Sequence, residues 1–197
     1  ITLFAVDKGV AGLSVEPVRL ADSSIAARLG FAGVEVDAGA VIGDVDGGWG
    51  TLGRMLDAGR IGAASEMLGV AGAASALTLD YLRQRKQFGR LIGEFQALQH
   101  RAAHLYGEME VARAAVMKAQ ELLDQGNDGA KLMVSVAKAK AGRAANLAVR
   151  EGVQMHGGIG MTDEYDIGLY MKRDRALAEF MGDVHYHTEQ VARMSGY

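Results

Sequence analysis

The spacing of apolar and polar positions changes character near residue 47. Up to about residue 46, short apolar runs are broken by turn residues: Ile1–Val6, Leu13–Val18, then Gly33-Val34-Glu35-Val36 ahead of Asp37-Ala38-Gly39. Val34 and Val36 flank Glu35 in period two and β-branched residues recur, which predicts two to four antiparallel strands. Pro17, the only proline, points to an edge or strand-end position, because it cannot donate to a ladder. From Trp49 onward the period lengthens. Ile61, Ala64, Leu68, Ala71, Ser75, Leu79 and Leu82 step by three and four. So do Phe95, Leu98, Ala102, Leu105, Met109, Ala112, Val116, Ala119 and Leu123. Met133, Ala137, Ala141, Ala144 and Ala148 form a third stripe of small residues, and a last helix is expected from Asp166 to Met194. Loops are marked by Gly89, by Asp124-Gln125-Gly126-Asn127-Asp128-Gly129 and by the Gly157–Gly160 cluster. The expected fold class is α+β but mostly α: short antiparallel strands over 1–46, then an antiparallel four-helix bundle over 47–197.

Composition narrows the functional classes. The chain has 197 residues, 49% of them hydrophobic, only 6% aromatic, and a net charge of −3. Without cysteine there is no disulfide, no thiolate nucleophile and no Cys-ligated metal, a pattern that suits a reducing cytoplasm. The slightly acidic balance argues against a nucleic-acid footprint. No apolar run reaches the roughly 18 residues of a membrane span, and no signal peptide is visible. The opening Ile1-Thr2-Leu3-Phe4 is already strand-like, as expected for a piece of something longer.

Two glycine-containing runs carry candidate chemistry. Arg85-Lys86-Gln87-Phe88-Gly89-Arg90 breaks a helix with a glycine and sets an arginine and an aromatic beside the break. A helix-terminal cation before a glycine cap satisfies this spacing, and so does an arginine that forks onto a pyrophosphate while Phe88 packs on an adenosine or flavin. Gln154-Met155-His156-Gly157-Gly158-Ile159-Gly160 opens between helices, where bare backbone can approach phosphate and Gln154 can bond an adenine or ribityl edge. It is equally a plain glycine-rich link, and it lacks the strand–helix setting of a Rossmann fingerprint. Asp174, in Lys172-Arg173-Asp174-Arg175, suggests a helix salt bridge. His100 and His104 share a helix face, but neither a base nor a third ligand accompanies them, so no metal site is expected. His185 and His187 stay open. Glu66, among small and apolar residues, needs a partner such as Arg60 or Arg101 if buried.

In this order, and with the continuation through Ile92, Phe95, Gln96 and Gln99-His100, the two runs resemble the signature of the acyl-CoA dehydrogenase flavoproteins. The resemblance covers essentially the whole chain: 1–46 look like the last strands of that family's middle β-domain, and 47–197 like its C-terminal helical domain, which binds FAD and mediates oligomerisation. It implies cofactor contacts by Arg85, Phe88, Gln154, Gly157 and Gly158, with Gln96 beside them, across a subunit boundary. It places Trp49, Asp57 and Arg60 at the acyl-CoA site. It also implies a tetramer of like subunits, homomeric or heteromeric, and an electron-transfer flavoprotein as acceptor.

The family reaction removes an α-proton with a glutamate while hydride leaves the β-carbon for flavin N5. That glutamate stands either in a Y-E-G-T pattern, which here reads Phe180-Met181-Gly182-Asp183, or directly before the helix arginine, where this chain has Gly59. Neither position holds a carboxylate. Asp183 two residues on, Glu66 seven residues after Gly59, or a base on a homologous partner subunit would each supply the function, the last making this subunit catalytically silent. The Phe-Met-Gly-Asp ending is most similar to bacterial branches that degrade steroid side chains in mixed assemblies. A helical oligomerisation module without cofactor would explain the Phe95–Leu123 stripe alone.

Overall fold

The computed structural model describes all residues from Ile1 to Tyr197. Two compact units divide at Asp57 and Ala58. In the first, β1 (Leu3–Phe4) pairs with β4 (Val41–Ile42), and β2 (Leu13–Arg19) pairs with β3 (Ile25–Phe31), both antiparallel. Pro17 sits inside β2 opposite Ala27. In a two-stranded ribbon each strand is an edge, so its missing N–H is tolerated. The run Val34–Val36 is not a strand. The chain there is irregular and enters a 3-10 turn at Ala38–Ala40.

The helices are α1 (Trp49–Gln84), α2 (Gln96–Asp124), α3 (Ala130–His156), α4 (Ile167–Glu179) and α5 (Val184–Met194). Between α1 and α2 lies a small hairpin, β5 (Lys86–Gln87) with β6 (Arg90–Leu91). The second unit is an antiparallel bundle centred on α3, whose Ala137, Ala141, Ala144, Ala145 and Ala148 are buried and let its neighbours approach closely. From α2, Leu105, Met109, Ala112, Val116 and Ala119 enter this core, as their spacing predicts. On α1 the buried line runs through Ile61, Ala64, Met67, Ala71 and Ala74, while Leu68 only packs at its margin. By length and composition α1 is also apolar enough to cross a membrane, and 44% of its most apolar window is buried inside the protein.

The single last helix expected from Asp166 to Met194 is broken. Phe180 is extended, Met181 and Gly182 both take left-handed φ values (58° and 106°), and Asp183 caps α5 by accepting a 2.7 Å hydrogen bond from the Tyr186 amide. A Cβ on Gly182 would strike the Tyr186 ring and come within 2.9 Å of His187 Nε2, so the break requires glycine.

Candidate functional site

The first signature run is the α1–α2 hairpin. Its two-residue turn, Phe88-Gly89, has φ values of 54° and 80°, the left-handed pair that matches strand twist in a tight hairpin. For an aromatic residue this conformation is uncommon. Phe88 is 90% exposed and touches only the edge of Phe95, at 6.1 Å between ring centroids. Arg90 stacks its guanidinium 4.0 Å from the Phe95 centroid. The Arg85 backbone is fixed at both ends, donating to Tyr81 O and accepting from Ile92 N at 2.9 Å each. Its side chain projects into solvent, and Gln96 is exposed at the first turn of α2.

The second run ends α3. Gly157 takes φ 69° and its amide caps the Gln154 carbonyl. Gly158 has nothing within 4 Å of where a Cβ would stand, nor does Gly157, so bare backbone faces open space there. Gly160, by contrast, is packed: a Cβ would lie 2.8 Å from Val153 O. Gln154 is exposed while His156 beside it is buried. His156 donates from Nδ1 to Gly152 O at 2.7 Å, leaving Nε2 buried without a partner in the chain. The His156 ring stacks on Tyr81 at 4.5 Å, with Tyr165 at 5.2 Å. Tyr81 lies one turn before Arg85, so this aromatic cluster brings both signature runs to the same end of the bundle. At this end Arg85, Phe88 and Gln154 are exposed and the Gly157–Gly158 backbone is open, while the His156 nitrogen is buried beneath the aromatic cluster.

The second cluster lies where α1 meets the α4–α5 turn. A Cβ on Gly59 would collide with Met181 Sδ and Cε, so these two positions, distant in sequence, touch in space. Arg60 Nε donates to Met181 O at 3.3 Å and its Nη2 to Tyr186 Oη at 3.2 Å. His187, fully buried, donates to the same Met181 carbonyl at 3.1 Å. Lys138, 2% exposed, bonds Leu177 O and Gly182 O at 3.1 Å each. Burial lowers its pKa to about 8, against the pull of Asp183 and Asp174. His187 is one of the two histidines that the sequence leaves open, whereas Lys138 lies outside both motifs. The readable signal for Lys138 is a cation between Ala137 and Ala139 on a helix whose neighbouring alanines are buried.

Glu66 pairs with Arg173 of α4 (2.5 Å), not with Arg60 or Arg101, and Arg101 instead pairs with Glu151 at 2.6 Å. Asp183 is held below the usual carboxylate range, chiefly by the Tyr186 amide. Asp174 makes no helix salt bridge. It is buried against α3, accepts from Asn146 at 3.5 Å and is pushed upward by desolvation. Its neighbours Arg173 and Arg175 make the ion pairs, with Glu66 and Glu179. His100 and His104 lie on the exposed face of α2. Of the residues expected at the acyl-CoA site, Trp49 is exposed, Asp57 is buried and Arg60 is half-buried.

Fold and motif placement define a helical bundle that carries two glycine-marked runs at one end. The C-terminal-domain model of the acyl-CoA dehydrogenases matches residues 46–196, and the chain belongs to that family of oxidoreductases. It is 33% identical over 196 residues to the mitochondrial short/branched chain specific acyl-CoA dehydrogenase of Bos taurus, covering 98% of this chain and 45% of that protein. Subunit CarC of the caffeyl-CoA reductase–Etf complex of Acetobacterium woodii is 33% identical over 153 residues, covering 78% and 39%. The structure of butyryl-CoA dehydrogenase from Megasphaera elsdenii superposes with a TM-score of 0.91 at 28% identity, covering 98% of this chain and 51% of that one. The chain thus spans about half the length of the relatives it matches.

Proposed function

We propose that the full-length protein takes part in FAD-dependent α,β-dehydrogenation of an acyl-CoA thioester, and that this chain brings cofactor-binding surface but no general base. The base then comes from a homologous subunit of a heteromeric assembly. One observation carries the proposal: Gly59 and Met181, the two positions where the base glutamate is expected, lie against each other and neither has a carboxylate. A thioether and a bare Cα cannot accept the α-proton. The alternative carboxylates are engaged elsewhere, Glu66 with Arg173 and Asp183 with the α5 amide. Asp183, held below the usual carboxylate range, is a weakened base.

Arg85 would clamp the FAD pyrophosphate, Phe88 would pack on the cofactor, and Gln154 with the Gly157–Gly158 backbone would bond its polar edge, Gln96 flanking them. Bound FAD would supply the hydride acceptor. Trp49, Asp57 and Arg60 would line the acyl-CoA passage. The exposed, left-handed Phe88 favours such a site over a cofactor-free oligomerisation module, because an aromatic held in that conformation in water gains nothing from it. A multi-subunit partner set including an electron-transfer flavoprotein is favoured by the similarity to CarC, whose own name places it in an Etf complex.

The test is the full-length protein purified alone and with a homologous subunit, assayed for FAD absorbance and acyl-CoA-dependent dye reduction. Alone it should not turn over, and Met181→Glu should create turnover. In the heteromer, Asp183→Asn and Glu66→Gln should each stay within about tenfold of the parent, short of the 10²–10⁴-fold typical of general-base loss. A hundredfold loss in either variant would assign the base to this chain.

A further inference from the structure

The α4–α5 turn is held by donors from three directions. Arg60 reaches it from α1, Lys138 from α3 and His187 from α5, and between them they bond the carbonyls of Leu177, Met181 and Gly182. Two consecutive left-handed residues, Met181 and Gly182, form a turn that persists only where its surroundings over-determine it. The His187 tautomer follows from its partners. A carbonyl can only accept, so Nε2 carries the hydrogen towards Met181 O, and Nδ1 is left to accept from the Ser135 hydroxyl at 3.4 Å. Burial keeps the ring neutral at pH 7, which preserves this arrangement.

We infer that His187 and Lys138 are positioning residues, which with Arg60 set the backbone at residue 181 so that its side chain is delivered against Gly59. This rests on the proposed role of position 181 as the emptied base position. A glutamate introduced there therefore finds its orientation already imposed, and the quality of that orientation depends on the Met181 carbonyl contact. His187→Gln keeps a side-chain N–H donor towards Met181 O, whereas His187→Leu keeps approximate bulk and loses the donor.

The experiment uses the full-length flavoprotein with its partner subunit, in the parent and the Met181→Glu backgrounds. Hydrogen exchange of a peptide spanning residues 178–187, read by mass spectrometry, reports the turn without any turnover. His187→Leu should exchange at least tenfold faster than His187→Gln in both backgrounds. In the Met181→Glu background, His187→Leu should lower kcat by tenfold or more at unchanged KM, and His187→Gln should recover most of that loss. If the leucine variant does not fold, Lys138→Met tests the same clamp, since it keeps an unbranched side chain and removes the donor to the Leu177 and Gly182 carbonyls, and faster exchange confined to this peptide is expected. Equal exchange and equal kcat in the leucine and glutamine variants, or an unchanged peptide in Lys138→Met, would overturn the inference. If exchange separates the variants while Met181→Glu shows no turnover, the clamp stands and the assignment of position 181 as the base position falls.

Discussion

Acid should loosen the helical bundle through His187. Its side chain is fully buried, and desolvation lowers its pKa from 6.5 to about 4, with Arg60 and Lys138 adding to the effect and the Met181 carbonyl and Asp183 opposing it. Because the folded pKa lies below the unfolded one, the unfolded chain binds the extra proton between these values. The contribution is therefore fully present above pH 6.5 and is lost as pH falls towards 4. At about 1.4 kcal/mol per pKa unit the whole window is worth roughly 3 kcal/mol, and about 2 kcal/mol of it disappears between pH 7 and pH 4.5. Urea unfolding of the full-length protein at those two pH values, in the parent and in His187→Gln, isolates the term, since titration of the remaining carboxylates and histidines cancels in the difference. The parent should lose about 2 kcal/mol more than the variant between the two conditions. Equal losses would show that the ring is not held neutral and that the Met181 contact does not require the uncharged form.

Lys138 acts in the alkaline range: with a pKa of about 8 against 10.5, stability should rise as pH climbs from 8 towards 10.5, and Lys138→Met should flatten that slope in the same urea series. Gly182→Ala should cost about 2 kcal/mol or more in urea unfolding, since its backbone is left-handed and the new Cβ meets the Tyr186 ring. Gly59→Ala displaces only the flexible end of Met181 and should cost about 1 kcal/mol or less. Arg85→Ala should weaken FAD retention about 10- to 150-fold in equilibrium dialysis, the value of one charge-assisted contact of roughly 1.5–3 kcal/mol, and unchanged retention would count against a pyrophosphate contact at Arg85.

Legibility followed the strength of the local pattern. The α2 and α3 stripes were plain because each has one apolar face and a charged opposite face. The α1 stripe was read a little off its true centre: Met67, Ala74 and Thr78 are buried where Leu68 and Leu79 are only partly so. Glycine and alanine occupy so many faces of α1 that its period barely discriminates among them. The strand expected at Val34–Val36 had the right alternation, but the chain finds no ladder partner there. The break at Phe180–Asp183 was readable in principle, because glycine followed by aspartate is a stop and a cap in succession. Apolar periodicity through Leu177, Val184 and Val191 concealed it. The partner of Glu66 was not readable, since Arg173 is 107 residues away and only the packing of α4 on α1 selects it over nearer cations.

The meeting of Gly59 and Met181 has more force than either substitution alone. Each was marked from a separate stretch of sequence, one by the arginine after it and one by the glycine after it, and nothing local links residues 59 and 181. If only one marking had been right, the two would have no reason to touch. Their contact within one bundle means that a carboxylate on either backbone would reach the same space, as the proposed reading requires. Losing the group from one position alone would be neutral, because the other could carry it. On the proposed reading neither position carries it, while Arg60, Lys138 and His187 fix the turn at Met181, so the frame of the site is present without its reactive group. Such a frame suits the proposed heteromer, in which this subunit would shape a shared site and leave proton transfer to its neighbour.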